Sequence, residues 1–242
     1  IVIPAYNEEA RIGKTLERIA SYLEKQSYVA EVIIVNDGSR DNTSEVVRGF
    51  CEQYPSFQLI DNLENRGKGA VVRQGMLSTQ GEYCLISDAD LSAPIEEVER
   101  LLPHLEQDNY DLAIGSRNKK AEGVFVEALL KRKLIGRVFN TIVQFLILPD
   151  YLDTQCGFKL FKGEIAKEIF SRQKLDGFSF DVEILYIAHC LNLKAIEIGV
   201  NWAHVPASRV NLLKDSFLMF QDIVKIKQIH RSTRLQQEVK SL

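Results

Sequence analysis

The stretch YCLISDADLSAP, residues 83–94, joins an apolar run typical of a buried strand to two aspartates and the start of a helix. Asp88 and Asp90 stand one residue apart where the strand would leave the core. Two carboxylates this close repel each other and resist losing their hydration water. On an extended segment both would point the same way, so we expect them to face one site that holds a hard divalent cation, Mg²⁺ or Mn²⁺. The alternative is a turn or a helix cap built from two aspartates.

The pattern around this stretch predicts an α/β fold. Short β-branched runs alternate with helical patterns in the first half, which is typical of a mainly parallel sheet flanked by helices. Strands are predicted at residues 1–3, 32–35, 57–60, 83–86 and 112–114, and helices at residues 9–22, 43–53, 69–77 and 95–105.

The second half is predicted to be more helical, and no linker interrupts it. Helical patterns cover residues 122–148, 163–170, 182–191 and 212–239, and one further strand is predicted at residues 195–200. We expect one domain over residues 1–211, followed by a C-terminal helical extension over residues 212–242.

Composition excludes several classes of protein. With 45% hydrophobic and 26% charged residues, the 242-residue chain reads as an ordinary globular protein. A net charge of -3 argues against a nucleic-acid partner. The four cysteines form no C-x-x-C pair, which favours reduced packing thiols over disulfides or a zinc site. No apolar run approaches the roughly 18 residues of a membrane span. The chain starts inside a predicted strand, so we expect preceding residues, and a membrane anchor could lie beyond either end.

Polar loops follow four of the predicted strands. In an open parallel sheet, ligands bind where the carboxyl ends of the strands meet their loops, so these loops predict an active-site cleft. Turn formation is the alternative for each loop alone, because NDGS and NRGKG are also good turn sequences. The residues concerned are Pro4, Tyr6, Asn7 and Glu8; Asn36 to Ser39; Asn65 to Gly69; and Asp88 to Asp90.

Two of these loops suggest how a nucleotide would bind. An ionised Asp37 accepts hydrogen bonds only, so it could accept the imide N–H of uracil or the adjacent donors of guanine. A helix cap is the alternative, although Asp41 could fill that role instead. NRGKG offers glycines for close backbone approach and the charge of Lys68, which suits a diphosphate. The motif is neither a P-loop nor G-x-G-x-x-G.

Together the motifs carry a resemblance that covers nearly the whole chain. IVIPAYNEE, IIVNDGSRDNT, NRGKGAVVRQGM, SDADLSAP and GSR resemble the signature series of family 2 inverting glycosyltransferases. DTQCGFKLF, FSFDVEIL and WAHVPASRV resemble the polyprenyl-phosphate (dolichyl-phosphate) sugar transferases, especially the β-glucosyltransferase branch. The resemblance implies a Rossmann-like glycosyltransferase-A fold, a nucleotide-sugar donor, a divalent metal and a lipid phosphate acceptor at the cytoplasmic face of a membrane.

The resemblance also implies roles for individual residues. Asp88 would lie at the ribose or the metal, and Asp90 would bind the metal. Ser92 stands where a related mannosyl branch has a metal-binding glutamine, which puts a third protein ligand in doubt. The remaining roles fall into three groups. The nucleoside would contact Pro4, Tyr6, Glu8 and Asp37. The acceptor phosphate would contact Arg117 and Arg209, and further candidates for this contact are Lys131, Arg132 and Arg137. The donor sugar or the acceptor would lie near Asp153 and Gln155.

These residues are consistent with the expected transfer reaction. A phosphate oxygen of the lipid attacks the anomeric carbon from the face opposite the leaving nucleoside diphosphate. That nucleophile is already ionised at neutral pH, so no strong general base is required. The protein aligns the substrates and stabilises the charge of the leaving group. Asp90 and the metal are expected to carry this task, with Asp88 beside them and Asp153 as a helper.

Residues 128–148, ALLKRKLIGRVFNTIVQFLIL, are basic in their first half and increasingly apolar towards the end. Such a helix could lie in a membrane interface and hold a lipid phosphate near its lysines and arginines. The alternative is a core helix or a contact between copies in a homo-oligomer, with a solvated basic face.

The favoured function is therefore transfer of glucose from UDP-glucose to a polyprenyl phosphate. GDP-mannose or another nucleotide sugar remains an alternative donor, because a carboxylate at position 37 serves either base. A sugar-1-phosphate nucleotidyltransferase would have a glycine-rich, arginine-bearing first loop, which PAYNEE is not. An inactive nucleotide-sugar-binding scaffold is the non-enzyme alternative.

Overall fold

A computed structural model describes residues 1–127, 140–205 and 212–231. The helices are α1 Glu9–Leu23, α2 Thr43–Gln53, α3 Lys68–Ser78, α4 Val98–Glu106, α5 over residues 140–146, α6 Gly163–Arg172, α7 Phe180–Cys190 and α8 Leu212–Ile229. The strands are β1 Val2–Ala5, β2 Val32–Asp37, β3 Phe57–Asn62, β4 Tyr83–Ile86, β5 Leu112–Ser116, β6 Val126–Glu127, β7 Lys159–Lys162, β8 Ala195–Gly199 and β9 Trp202–Ala203.

Seven strands form one sheet in the order β3-β2-β1-β4-β7-β5-β8. The pairs β3-β2, β2-β1, β1-β4 and β5-β8 are parallel, which confirms the predicted α/β fold. β7 is antiparallel to both of its neighbours, β4 and β5, and no strand was predicted there. A separate two-stranded parallel ribbon pairs β6 with β9.

Alternate strand residues face opposite sides of the sheet, and a hydrophobic layer covers each side. Val2 and Ile33 pack with the apolar residues of α3, α6 and α7. Ile3 and Ile34 pack with those of α1 and α4 on the other side. This alternation is the expected consequence of the two-residue period of a strand. The central strands are apolar on both faces because both are covered.

The prediction of a helix from residue 122 is wrong for residues 122–127. Residues 122–123 lie in a turn, and Val126 and Glu127 form β6. The side chain of Asn201 accepts a hydrogen bond from Phe125 N–H at 2.8 Å, which fastens this segment before the ribbon begins. Residues 128–139 of the predicted interface helix lie outside the described residues, and residues 140–146 are helical as predicted.

The C-terminal helix α8 packs against the same core as the sheet. Ile223 and Ile226 are fully buried in the hydrophobic cluster that also contains α7 residues. Ser179 donates a hydrogen bond to the carboxylate of Asp222 at 2.7 Å. The division of the chain at residue 211 stays a prediction. None of the helices within the described ranges combines the length and apolar content that crossing a bilayer requires.

Candidate active site

A cleft of about 340 Å³ opens at the carboxyl ends of β1, β2 and β4. From β1 the chain proceeds to β2 and β3 on one side, whereas β4 lies on the other, so the cleft sits where the strand order reverses. This is the position at which open α/β sheets bind ligands. The lining includes the predicted residues Pro4, Tyr6, Glu8, Asp37, Lys68, Asp88 and Asp90.

Asp88 and Asp90 both line the cleft, but they do not lie on an extended segment. The carbonyl of Asp88 accepts a hydrogen bond from Leu91 N–H at 3.1 Å, so the chain turns at the end of β4. Leu91 has φ +47°, a left-handed conformation that is rare and costly for a residue with a branched side chain. The extended geometry expected from the sequence is therefore wrong. The turn nevertheless brings both carboxylates to the same cleft.

One positive charge beside this acidic pair comes from Lys68 at the start of α3. Its Nζ donates a hydrogen bond to Asp88 Oδ1 at 2.6 Å. Burial by itself lowers the pKa of Lys68, but the charges of Asp88 and Asp181 outweigh burial and raise the pKa above its ordinary value. Lys68 is therefore a permanent cation in the cleft, in the place where a diphosphate would need one.

The backbone of Gly157 lies directly against the carboxylate of Asp88. A Cβ at position 157 would stand 2.1 Å from Asp88 Oδ2, so only glycine allows this approach. The neighbouring Cys156 carbonyl accepts a hydrogen bond from the fully buried Lys159 Nζ at 2.6 Å, and Lys159 also pairs with Asp181. This buried ion pair supports the backbone on which Asp88 rests.

Asp37 anchors the NRGKG loop rather than a helix. Its carboxylate accepts hydrogen bonds from the backbone N–H groups of Arg66 at 2.6 Å and Gly67 at 3.0 Å. Burial raises the pKa of Asp37, and these hydrogen bonds offset part of that effect. At the start of α2 it is Asp41, one residue before the N-cap Asn42, whose Oδ1 accepts a hydrogen bond from Thr43 N–H at 3.1 Å. Recognition of a base by Asp37 stays a prediction.

Some of the lining was not predicted. Arg11, on the first turns of α1, pairs with Glu8 through its Nε and through Nη2, which lies 2.7 Å from Glu8 Oε1. Phe178 and Gly177 come from the loop before α7 and close another side of the cleft. The spacing of Glu8 and Arg11, three residues apart at a helix start, was the available signal for Arg11. Phe178 begins the motif FSFDVEIL, which carries part of the resemblance but was given no role in the site.

Arg117 and Asp153 form a second polar centre at the carboxyl end of β5. Asp153 is fully buried and binds Arg117 through both oxygens, with Nε 2.7 Å from Oδ2 and Nη2 2.7 Å from Oδ1. Burial alone would raise the pKa of Asp153, but the charge of Arg117 and its hydrogen bonds hold the pKa below its usual value. Asp153 is thus an ionised partner of Arg117, and Gln155 N–H also donates to it at 3.2 Å.

Glu197 on β8 holds the segment that carries Asp153. Its Oε2 accepts a hydrogen bond from Leu152 N–H at 2.9 Å, and its Oε1 accepts from Asp153 N–H at 2.8 Å. The other predicted acceptor residues, Lys131, Arg132, Arg137 and Arg209, lie outside the described residues. Their roles stay predictions.

The acidic pair fits a divalent cation that shares its coordination with a substrate. Asp88 and Asp90 offer hard carboxylate oxygens, and no set of three or more histidine, cysteine or acidic side chains in the described ranges forms a metal cage. Mg²⁺ and its relatives bind in this way, through one or two carboxylates and substrate phosphates. Ser92 is buried, and its N–H donates to Asp90 Oδ1 at 2.9 Å.

Comparison with known proteins agrees with this arrangement. The sequence model of Glycosyl transferase family 2 matches residues 1–170. A dolichyl-phosphate β-glucosyltransferase of Homo sapiens is 35% identical over 251 residues, covering 98% of this chain and 78% of the relative. That of Saccharomyces cerevisiae is 38% identical over 247 residues, covering 94% and 73%. That of Dictyostelium discoideum is 35% identical over 238 residues, covering 94% and 73%.

Solved structures of similar shape are glycosyltransferases as well. Glucosyl-3-phosphoglycerate synthase from Mycobacterium tuberculosis, in complex with Mn²⁺ and UDP-glucose, gives a TM-score of 0.63 at 17% identity, covering 93% of this chain and 76% of that chain. Mannosyl-3-phosphoglycerate synthase from Rubrobacter xylanophilus gives 0.66 at 16% identity, covering 99% and 74%. The fold is the glycosyltransferase-A fold expected from the motifs. The chain therefore belongs to glycosyltransferase family 2 and, within it, to the family of the dolichyl-phosphate β-glucosyltransferases.

Proposed function

We propose that the protein transfers glucose from UDP-glucose to dolichyl phosphate, with inversion at the anomeric carbon, at the cytoplasmic face of a membrane. The observation that carries the proposal is the cleft at the strand-order reversal, where Lys68 and the pair Asp88 and Asp90 lie together. A diphosphate and a divalent cation need this combination of charges. The kinship with dolichyl-phosphate β-glucosyltransferases supports the acceptor and the sugar.

In the proposed reaction, one phosphate oxygen of the lipid forms the new bond to the anomeric carbon while the bond to UDP breaks. The acceptor phosphate is ionised at neutral pH, so no side chain needs to remove a proton. Asp88 and Asp90 would hold Mg²⁺ or Mn²⁺, which when bound neutralises charge on the departing diphosphate. Lys68 adds a fixed positive charge on the same side, and the nucleoside would lie along Pro4, Tyr6, Glu8 and Asp37.

Arg117 is proposed to bind the acceptor phosphate. Its guanidinium is fixed on one side by two hydrogen bonds to Asp153, and its side chain is 29% exposed. A guanidinium presents several N–H donors in one plane, which suits a phosphate. Asp153 acts in this proposal through Arg117, because its own carboxylate is buried and fully engaged.

The function is tested by offering radiolabelled UDP-glucose and GDP-mannose separately with dolichyl phosphate, in Mn²⁺ and in EDTA. We expect a lipid-linked product from UDP-glucose in Mn²⁺ only. A product from GDP-mannose alone would contradict the proposed donor. Metal-dependent UDP-glucose binding without any product would instead favour the inactive scaffold.

Asp90→Asn should lower transfer at least about 100-fold, as loss of a group that stabilises the transition state does. The matched control is Asp108→Asn, since Asp108 is exposed and pairs only with His104 among the described contacts. The control should keep full activity, and both variants should keep the circular dichroism of the wild type. Full turnover of Asp90→Asn in Mn²⁺ would refute the proposed role of the pair.

We also propose that the rim around Arg117 contacts the membrane. Three large apolar side chains on segments that adjoin this centre are exposed, Phe125 at 81%, Phe145 at 88% and Leu152 at 46%. The Phe125 carbonyl accepts a hydrogen bond from Trp202 N–H at 3.0 Å, and the side chain of Gln144, next to Phe145, donates to the Tyr151 carbonyl at 2.6 Å. Leu152 precedes Asp153, and its carbonyl accepts a hydrogen bond from Asn118 at 3.0 Å. Exposed aromatic residues beside a site for a lipid phosphate are suited to an interface.

Co-sedimentation with phosphatidylcholine vesicles containing phosphatidylserine tests the membrane contact. The double variant Phe125→Ser and Phe145→Ser should reduce the bound fraction several-fold. Phe220→Ser, which changes an exposed phenylalanine on α8, should not. Equal binding of all three proteins would exclude this rim as the contact surface.

A further inference from the structure

The single tryptophan of the chain lies against Arg117. The guanidinium carbon of Arg117 is 5.4 Å from the centre of the Trp202 ring, within the range of a cation–π interaction. Arg117 is therefore held on two sides, by the carboxylate of Asp153 and by the ring of Trp202.

The segment that carries Trp202 is fastened to its surroundings before and after the ring. Trp202 N–H donates to the Phe125 carbonyl at 3.0 Å, and Ala203 N–H donates to the Ser92 carbonyl at 2.9 Å. The side chain of Asn201 donates to Glu97 Oε1 at 2.6 Å. The Ser92 contact joins this segment to the loop that carries Asp88 and Asp90. The ring of Trp202 is thus supported by the loop in which the proposed metal ligands lie.

The hydrogen bonds of Arg117 show which part of its guanidinium is left for a ligand. The carboxylate of Asp153 accepts hydrogen bonds from Nε and Nη2 of Arg117. Nη1 of Arg117 has no acceptor among the residues that the structure describes. With one edge of the guanidinium bound and the ring of Trp202 near its carbon, rotation of the side chain is restricted. The donors of Nη1 then keep one direction.

We propose that Trp202 is a positioning residue that orients Arg117 towards the phosphate of the acceptor. The inference rests on the proposed function, because it takes Arg117 as the acceptor-phosphate ligand. Trp202 acts through Arg117 and does not itself contact the reacting atoms. Its loss should therefore affect the acceptor and leave the donor unaffected.

Steady-state kinetics of two Trp202 variants test this role. Trp202→Leu removes the aromatic face and should raise the KM for dolichyl phosphate about tenfold, with the KM for UDP-glucose unchanged. Trp202→Phe keeps an aromatic face and should restore the acceptor KM to within about threefold of the wild type. Phe220→Leu on α8 is the control for loss of an exposed aromatic side chain and should change neither constant.

Intrinsic fluorescence provides a second readout that needs no Trp202 variant. Because the chain contains one tryptophan, emission excited at the red edge of tryptophan absorption, where its eight tyrosines do not absorb, reports on this position alone. Titration with farnesyl phosphate should change the emission saturably, and farnesol, which lacks the phosphate, should not. Asp90→Asn should keep this response although it loses transfer, since Asp90 belongs to the donor side.

The outcomes separate this inference from the proposed function. Transfer by the wild type, with an unchanged acceptor KM in Trp202→Leu and no emission response to farnesyl phosphate, would overturn the inference alone. Absence of transfer from UDP-glucose, with a saturable response to farnesyl phosphate, would overturn the function and uphold the phosphate site beside Trp202. If Trp202→Leu fails to fold, Trp202→Phe and the wild-type titration still decide.

Discussion

Asp88 owes its position to a residue that has no side chain. The carboxylate rests on the backbone of Gly157, and a Cβ there would overlap both carboxylate oxygens and the Cγ atom. Asp88 also receives the hydrogen bond of Lys68. A change at position 157 would therefore act on the acidic pair without removing any of its chemical groups.

Gly157→Ala should lower transfer at least about 100-fold while the protein stays folded, because the short Asp88 side chain can rotate away from the new methyl group. Binding of UDP-glucose in Mn²⁺, measured by calorimetry, should weaken in parallel. Gly49→Ala is the matched control, since a Cβ at position 49 would meet no atom within 4 Å apart from its chain neighbours and the backbone of its own helix. Wild-type activity in Gly157→Ala would show that the acidic pair does not need this geometry.

The sequence allowed prediction of the residues that follow a strand and share a motif. Asp88, Asp90 and Lys68 were placed in one cleft on this basis, and the structure brings them together. The pair of Arg117 and Asp153 could not be predicted, because 36 residues separate them and neither motif specifies its partner. The burial of Asp153 could not be predicted either. An aspartate is buried when a cation neutralises its charge, and the sequence does not show whether such a cation lies beside it.

At the scale of elements, β7 is the main difference from the expected fold. Its sequence, KLFK, is an apolar pair between two lysines, too short to show the period of a strand. Tertiary context makes it a strand, because β4 and β5 both offer unpaired edges and β7 fills the gap between them. β1 to β4 were predictable, since each contains a short, mainly apolar run and is followed by a helical pattern.

Phe161 ties β7 to the layer of helices behind the sheet. It is fully buried, and its ring packs edge-to-face on Phe170 of α6 with centroids 5.6 Å apart. Phe161→Ala should lower the free energy of unfolding in urea by about 3–5 kcal/mol. Phe220→Ala, on an exposed side chain, should change it by no more than about 0.5 kcal/mol. Equal stability of the two variants would mean that β7 is not part of the core.

Across the whole molecule, the cleft that contains Asp88 and Asp90 is assembled from loops that are far apart in the chain. The loop after β1 is joined to the loop after β2 by Asn7, whose N–H donates to Ser39 Oγ at 2.9 Å and whose Oδ1 accepts from Arg40 N–H at 2.8 Å. The loop before α7 closes over NRGKG, where Ala70 N–H donates to the Asp176 carbonyl at 3.2 Å. A ligand in this cleft would therefore stabilise all of these loops together, and with them the native state.

Saturating UDP with Mn²⁺ should raise the melting temperature by about 5–10 °C. A ligand at 100 times its Kd stabilises the native state by about 2.7 kcal/mol, and a domain of this size gains roughly 2–4 °C per kcal/mol. EDTA should remove most of the increase, and Asp90→Asn should show little of it. An equal increase with UDP in EDTA would mean that the nucleotide binds without the metal.

The position of β7 also has a consequence for biosynthesis. On the ribosome, β4 and β5 are made before the strand that joins them, and at roughly 5–20 residues per second the nascent polypeptide exposes both edges for several seconds. Unpaired edges of this kind are sites of aggregation, so chaperone protection matters most in that interval. A translational pause placed just upstream of Lys159 would prolong the hazard, whereas one placed after the strand has emerged would not.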